Sequence, residues 1–297
     1  MEELRVMRQI TEAEIQHYRE FGVVYLPDFL DDEWLVRMEK AYTEEMFGSS
    51  EAINQLDMGA SAQALQKAGI ELVSPDSGEA AGRFWIKTFN WRKFPSIASL
   101  GCRPPLPEKI AGLMGATRLN FYGEQAFFKE AGSLHRTAFH QDAPYFHLTG
   151  NQCCTVWMPL DVVDAENGMM GYIRGSHRWK IHAANVFASR APIPGSTSEP
   201  LPDIENHEDQ YDVVYYPVKP GDAIVHHVRT VHGSTGNTSK RDRRALALRY
   251  VGDDIRYMER EGSPPDSQKS AQLDDGDLMD SVEFPLIWTA DGGYVAE

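Results

Sequence analysis

Positive charge is scarce in this chain of 297 residues: 29 Lys and Arg stand against 44 Asp and Glu, a net charge of -15. A nucleic-acid binder needs a basic footprint to release counterions, so nucleic acid is excluded as the principal partner. Long apolar runs are also missing. No window approaches the roughly 18 consecutive apolar residues of a membrane span, which excludes a helical membrane protein and a membrane partner. The opening MEELRVMRQI has neither the apolar run nor the small-residue cleavage site of a secretory leader. Cysteine is limited to three residues, an odd number, and Cys153 and Cys154 are neighbours. A disulfide framework is therefore excluded, and the expected setting is a soluble protein of the reducing cytoplasm. There is no internal repeat, heptad run, glycine-rich phosphate loop or low-complexity tract.

With 42% hydrophobic residues the chain can bury one large core and is short for two. Thr11 and Glu14 form a capping box ahead of IQHYREF, with Gly22 at the far end, which predicts a short helix. VVYLPDFL reads as a strand or extended segment. Asp31 or Asp32 can cap a second helix through EWLVRMEKAYTEEMF, and helical content is expected again around Ala60 to Ala68. From Arg83 the texture becomes short apolar or alternating runs punctuated by Gly, Pro, Asn and Asp. Eight such runs, RFWIKTF, RLNFYGEQAFF, TAFHQD, CCTVWMPL, GMMGYI, DVVYYPV, DAIVHHV and RALALRYV, suit a jelly roll. The expected organisation is one domain over 1–297: N-terminal helices in 1–80, a β core over about 83–251, and an acidic extension over 252–297. Residues 183–212, rich in Pro, Ser and acidic residues, read as a surface insertion or lid.

The stretch FHQDAPYFH places His140 two residues before Asp142 among aromatics. On a strand such residues share a face, so an imidazole and a carboxylate would stand together. A chain of this composition carries about one His-x-Asp by chance, and His207 with Asp209 is a second match, set in the polar insertion. Downstream, KPGDAIVHHVRTVHGS offers His226, His227 and His232. His226 and His227 are mid-strand and face opposite ways, so that one points into the barrel. His232, before Gly-Ser, is the natural third ligand. Two histidines and one carboxylate form the facial set of non-haem Fe(II) oxygenases, which leaves three coordination positions open. The scarcity of thiolates argues against structural zinc.

TEAEIQHYREFGVVYLPDFL, FHQD, GYIRGSH, and GDAIVHHVRTVHGS through RRALALRY, in that order, resemble the phytanoyl-CoA hydroxylase family of Fe(II)- and 2-oxoglutarate-dependent dioxygenases. The resemblance implies a double-stranded β-helix, a cupin-like jelly-roll barrel that is mainly β with flanking helices. It implies Fe(II) on His140, Asp142 and His232, with 2-oxoglutarate and O2 as cosubstrates. The family arginine that grips the far carboxylate of 2-oxoglutarate matches Arg243, whose planar fork can take both oxygens; strand alternation alone does not separate it from Arg244 or Arg249. Ser234 matches a hydroxyl near the same carboxylate, and Trp157 and Gln125 match pocket walls. The implied activity is hydroxylation of an unactivated C–H bond of a small metabolite, with 2-oxoglutarate leaving as succinate and carbon dioxide. Asp142, where related halogenases carry a small residue, favours hydroxylation over halogenation.

Between Ala80 and Pro107 lie five basic residues, Arg83, Lys87, Arg92, Lys93 and Arg103, and no acidic one. If this stretch lines the barrel mouth, the substrate carries a carboxylate or phosphate on an apolar body. GYIRGSHRWK reads as a tight corner between strands. A reading from another class is a jelly-roll binding protein or metal-dependent isomerase; Arg243 beside Ser234 argues for the oxygenase, since a binder needs no carboxylate clamp next to the metal.

Overall fold

The computed structural model describes residues 7–52, 55–73, 82–264 and 267–295; Met1–Val6 of the leader reading, and Ala80 and Ala81 at the head of the basic stretch, lie outside them. Helix α1, Glu12–Phe21, starts on the capping box: the Glu14 amide donates to Thr11 Oγ1, the Thr11 amide donates to the Glu14 carboxylate, and Gly22 closes the helix at φ 75°. Strand β1, Val23–Leu26, follows. Asp31 accepts from the Trp34 amide at 2.7 Å to cap α2, Asp32–Lys40, which runs on as a π-helical segment, Ala41–Phe47. Then come β2, Gln55–Asp57, α3, Met58–Lys67, and β3, Phe84–Thr88.

The run after β3 is not purely β as expected. Pro95–Cys102 and Leu106–Met114 form helices α4 and α5, each started by a proline in its first turn. The remaining strands are β4, Arg118–Lys129, β5, Thr137–His140, β6, Leu148–Thr149, β7, Cys153–Pro159, β8, Met170–Ile173, β9, Val213–Tyr215, β10, Ala223–His227, β11, His232–Ser234, β12, Arg243–Val251, β13, Arg256–Tyr257, β14, Leu286–Thr289, and β15, Gly293–Tyr294. Leu286–Thr289 pairs with β4, so part of the acidic extension is built into the large sheet.

The large sheet runs β1-β10-β7-β12-β4-β14-β15, with β3 also on β4 and β2 on β3; a four-stranded sheet runs β5-β11-β8-β9. The two pack face to face, because Trp157, Ile224, Ala245 and Ala247 of the first share an apolar cluster with Met170 and Tyr172 of the second. This is the jelly-roll, double-stranded β-helix architecture, mainly β and antiparallel. The other face of the large sheet is covered by helices: Val156, Val225, Leu246 and Leu248 pack with Trp34, Ile97, Leu100 and Ile110. Strand alternation thus divides β12, sending Leu246 and Leu248 to the helices and Ala245 and Ala247 to the barrel interior. Gly101 belongs to that helical layer: a Cβ there would stand 2.4 Å from the Phe121 ring, so only glycine admits the approach of α4.

Candidate active site

His140 ends β5 and His232 begins β11, and the two are direct partners across the antiparallel ladder. The register shifts between this pair and the next, Ser234 opposite Thr137, so β5 carries one extra residue beside the site. Asp142 is not on the strand. It sits at φ -72°, ψ -34°, where the chain turns into the short 3-10 segment Ala143–Tyr145. The expectation that strand alternation pairs it with His140 is corrected here: β5 stops at His140, and the turn aims the carboxylate back.

The three side chains are buried, and one ligand atom from each lies within 4.8 Å of the others. Asp142 Oδ1 is 3.7 Å from His140 Nε2 and 3.8 Å from His232 Nε2. His140 Nδ1 lies 2.8 Å from the Ala138 carbonyl and His232 Nδ1 2.9 Å from the Thr230 carbonyl. A carbonyl only accepts, so each Nδ1 carries the proton and each Nε2 offers a lone pair. Burial first, and then the crowding of His226 and His140, holds the His232 imidazolium well below its usual range, so the ring is in its neutral, ligating form. These donors fit a ferrous ion. Burial raises the Asp142 pKa, but the Arg249 charge, with His140 and His226, outweighs it and holds the carboxyl well below the usual carboxylate range.

Asp142 uses its two oxygens differently. Oδ1 faces the histidines, while Oδ2 accepts from Thr155 Oγ1 at 2.9 Å and has His226 Nε2 and Arg249 Nε each at 3.6 Å. His226 is therefore the member of the His226–His227 pair that points inward; His227 looks away, its Nδ1 accepting from the Arg229 amide at 3.0 Å. Thr155 carried no sequence signal, being one β-branched residue among many in a buried strand. The second His-x-Asp match is elsewhere: His207 and Asp209 are exposed, on a 3-10 turn, and are not brought to the site.

Arg243 is 1% exposed and faces inward from β12, with Cζ 5.7 Å from the Trp157 ring centroid. Arg244, one residue on, points outward to Asp161. Arg249 has the same parity as Arg243 and lies next to Asp142. The sheet thus separates the three arginines that alternation alone left open. Arg243 Nη2 donates to the Gly168 carbonyl at 3.2 Å, while Nε and Nη1 have no partner among the described residues. Burial lowers the Arg243 pKa to about 10. Ser234 Oγ lies close by, accepting from Lys129 Nζ at 3.0 Å and donating to Thr137 Oγ1. Trp157, Ser234 and Arg243 line one small cavity with the His140, Asp142 and His232 side chains. A planar cation with two unpartnered nitrogens and a hydroxyl, lining the same cavity as the metal set, suits a dicarboxylate such as 2-oxoglutarate.

A second cavity of about 230 Å³ opens from the same point, sharing Ile86, Gln125, Asp142, Phe187 and Arg249 with the first. Its walls are mostly apolar, including Phe89, Phe146, Val186 and Ile193. Gln125 accepts from Arg249 Nη2 at 2.6 Å. Asn185, Val186, Phe187 and Ile193 come from the segment expected as a surface insertion; part of it is in fact a wall of this cavity, tied down by the Ala138 amide donating to the Phe187 carbonyl at 2.9 Å. The basic stretch does not supply charge to the mouth as expected. Lys87 turns away to donate to the Met46 carbonyl at 2.6 Å, and Arg92 is exposed near Glu283. The reason is parity: on β3, Ile86 and Thr88 face the cavity, so Lys87 cannot. Arg249 is the one cation among the described residues that line this cavity.

The family model for phytanoyl-CoA dioxygenase matches residues 18–245, which contain the metal set, Ser234 and Arg243. The chain belongs to the phytanoyl-CoA dioxygenase family. Phytanoyl-CoA dioxygenase domain-containing protein 1 of Danio rerio is 32% identical over 128 residues, 42% of this chain and 42% of that protein. The curated relatives are matched over less than half their length. Among solved structures, the alpha-ketoglutarate-dependent carbocyclase SnoK of nogalamycin biosynthesis aligns over 93% of this chain and 96% of its own, with TM-score 0.65 and 25% identity. The epimerase SnoN, in complex with Fe3+, alpha ketoglutarate and nogalamycin RO, aligns over 93% and 97%, with TM-score 0.62 and 22% identity, and shows the shared fold. Among the described residues no helix is long and apolar enough to cross a membrane.

Proposed function

We propose that this protein is an Fe(II)- and 2-oxoglutarate-dependent dioxygenase that hydroxylates an unactivated C–H bond of a small molecule with an anionic group on an apolar body. The observation that carries the reading is the convergence of His140 Nε2, His232 Nε2 and Asp142 Oδ1 on a cavity that Arg243 also lines. Bound ferrous iron with 2-oxoglutarate and O2 supplies the oxidising power, and 2-oxoglutarate leaves as succinate and carbon dioxide. The chain contributes position and exclusion. His140 and His232 offer Nε2 because each Nδ1 is engaged by a backbone carbonyl, and Asp142 offers Oδ1 because Thr155 holds Oδ2. Arg243 and Ser234 take the far carboxylate, and the Trp157 ring beside Arg243 keeps that end dry. The apolar cavity holds the substrate body and keeps water from the reacting centre. Arg249, buried and next to Asp142, receives the substrate anion. The buried free thiols Cys153 and Cys154 fit work in the reducing cytoplasm.

Anaerobic addition of Fe(II) and 2-oxoglutarate should produce the weak visible charge-transfer band of the chelate, and a panel of apolar carboxylates and phosphonates should contain members that trigger succinate release with a gain of one oxygen atom. Absence of the band removes the oxygenase reading. A response to neutral amides equal to that of the matching acids removes the anionic one.

A further inference from the structure

Lys129 closes β4 with its side chain fully buried. Nζ donates to Ser234 Oγ at 3.0 Å and to the Thr235 carbonyl at 2.7 Å, and stands 4.4 Å from the Phe84 ring centroid. Its partner across the β4–β12 ladder is Arg243. The two cations meet at Gly168, where an added Cβ would lie 3.0 Å from Lys129 Cδ and 3.2 Å from Arg243 Nη2. Among the described residues neither is in an ion pair. Asp161, the carboxylate that Arg243 feels, is occupied by Arg244 on the opposite face of the sheet.

Two adjacent buried cations without a counterion are unfavourable in a folded core, because lysine is almost never fully buried unless it is paired. Methionine would fill the same space without that cost. Burial, and then the charges of Arg243 and Arg136, holds the Lys129 ammonium well below the usual lysine range; the groups facing it are Arg243 from β12 and His135 and Arg136 from the segment before β5. A carboxylate at Arg243 is what this arrangement lacks. The hydrogen bond to Ser234 adds a direction. With an ammonium donating to it, the Ser234 oxygen is an acceptor on that side, and its single proton must point elsewhere, to Thr137 or to a ligand in the cavity.

We propose that Lys129 is a positioning residue for the far carboxylate of 2-oxoglutarate: by donating to Ser234 Oγ it holds that hydroxyl beside Arg243 and keeps its proton off the Lys129 side, so that Thr137 takes it now and a bound carboxylate can take it instead. This rests on the reading of Arg243 and Ser234 as the cosubstrate end. Lys129 acts through Ser234 and does not touch the metal ligands.

The test is 2-oxoglutarate binding to the full chain loaded with Mn(II), which does not turn over, followed by quenching of tryptophan fluorescence and by calorimetry. Lys129→Met is expected to raise Kd about 10-fold at unchanged Mn(II) affinity, and in the iron enzyme to raise KM for 2-oxoglutarate with kcat within about twofold. Lys129→Arg should recover most of the affinity, which a packing role would not predict. In the Lys129→Met background the further loss from Ser234→Ala should shrink, because the two share one hydrogen bond. If Lys129→Met binds 2-oxoglutarate as tightly as the wild type while Arg243→Met does not, the inference is overturned and the cosubstrate end stands. If neither change matters, the cosubstrate end itself falls, and the inference with it. Should Lys129→Met not fold, Ser234→Ala decides: an unchanged Kd overturns the proposal, since the route through the hydroxyl then carries nothing.

Discussion

His232 lies directly opposite His140 across the β5–β11 ladder, and each ring is tied through Nδ1 to the carbonyl two residues before it, Thr230 just ahead of β11 and Ala138 on β5. The backbone thus sets both the separation of the two rings and the proton on each, leaving two matched nitrogens aimed at Asp142.

Replacing either histidine by alanine removes a ligand without touching the helical layer that carries the largest apolar cluster. His140→Ala and His232→Ala should each weaken Co(II) binding by more than about 100-fold, beyond the loss typical of residues that merely orient a ligand. The far-ultraviolet circular dichroism should stay at its wild-type shape. Retention of one tight Co(II) ion per chain in both variants would count against the site.

Thr155 holds the oxygen of Asp142 that faces away from the histidines. Thr155→Val keeps the shape and deletes the hydroxyl, and should reduce metal affinity by roughly 10–100-fold. Titration with Co(II), read from its visible absorption, gives the number directly; Thr155→Ser should lie close to the wild type.

Arg243→Lys keeps the charge and loses the planar fork. Losing one charge-assisted hydrogen bond costs roughly 1.5–3 kcal/mol, so KM for 2-oxoglutarate should rise about 10- to 100-fold. Arg244→Lys, on the other face, should leave it unchanged. Steady-state succinate formation against 2-oxoglutarate concentration separates the two variants.

Gly168 sits at φ 93° with both cations against it. Gly168→Ala pays backbone strain of about 1–3 kcal/mol and pushes a methyl group toward Lys129 and Arg243. A lower melting temperature together with weaker 2-oxoglutarate binding is expected. Gly195→Ala, at φ 90° with open space around it, shares the strain and not the crowding, and should leave cosubstrate binding intact.

Glu124 is buried and accepts from the Asn90 amide at 2.5 Å and the Trp91 amide at 3.1 Å. Burial dominates and raises its pKa from 4.5 to about 7. Between these values the folded chain keeps a proton that the unfolded chain has released. The stability contributed by the neutral carboxyl is therefore full below about pH 4.5 and is lost as pH rises through about 7, by roughly 3 kcal/mol in all. Glu124→Gln does not titrate, and the wild-type-minus-variant difference from denaturant unfolding should fall across that window and be flat above it. A difference that does not change with pH would refute the assignment.

Much of the β core was legible from spacing. The runs that became β4, β7, β10 and β12 are short, apolar or alternating, and bounded by turn residues, and Thr11 with Glu14 marked the start of the first helix. Helices α4 and α5 were missed because their eight and nine residues are interrupted by Gly and Pro and carry too few turns for a helical period to show. At the site, FHQD and His232 stood out through chemistry, since few other residue types can serve as ligands. Thr155, Lys129 and the inward side of Arg249 did not, because Thr, Lys and Arg are ordinary members of strands.

The amino-acid order by itself determined which residues share a face within an unbroken strand, since side chains there alternate whatever the strand packs against, and it determined the ligand chemistry, which belongs to imidazole and carboxylate. Only the tertiary structure decided which face looks inward and which strands lie side by side. Ladder pairing put His140 opposite His232 and Lys129 opposite Arg243 across about a hundred residues of chain, and no local pattern encodes a register between strands that far apart.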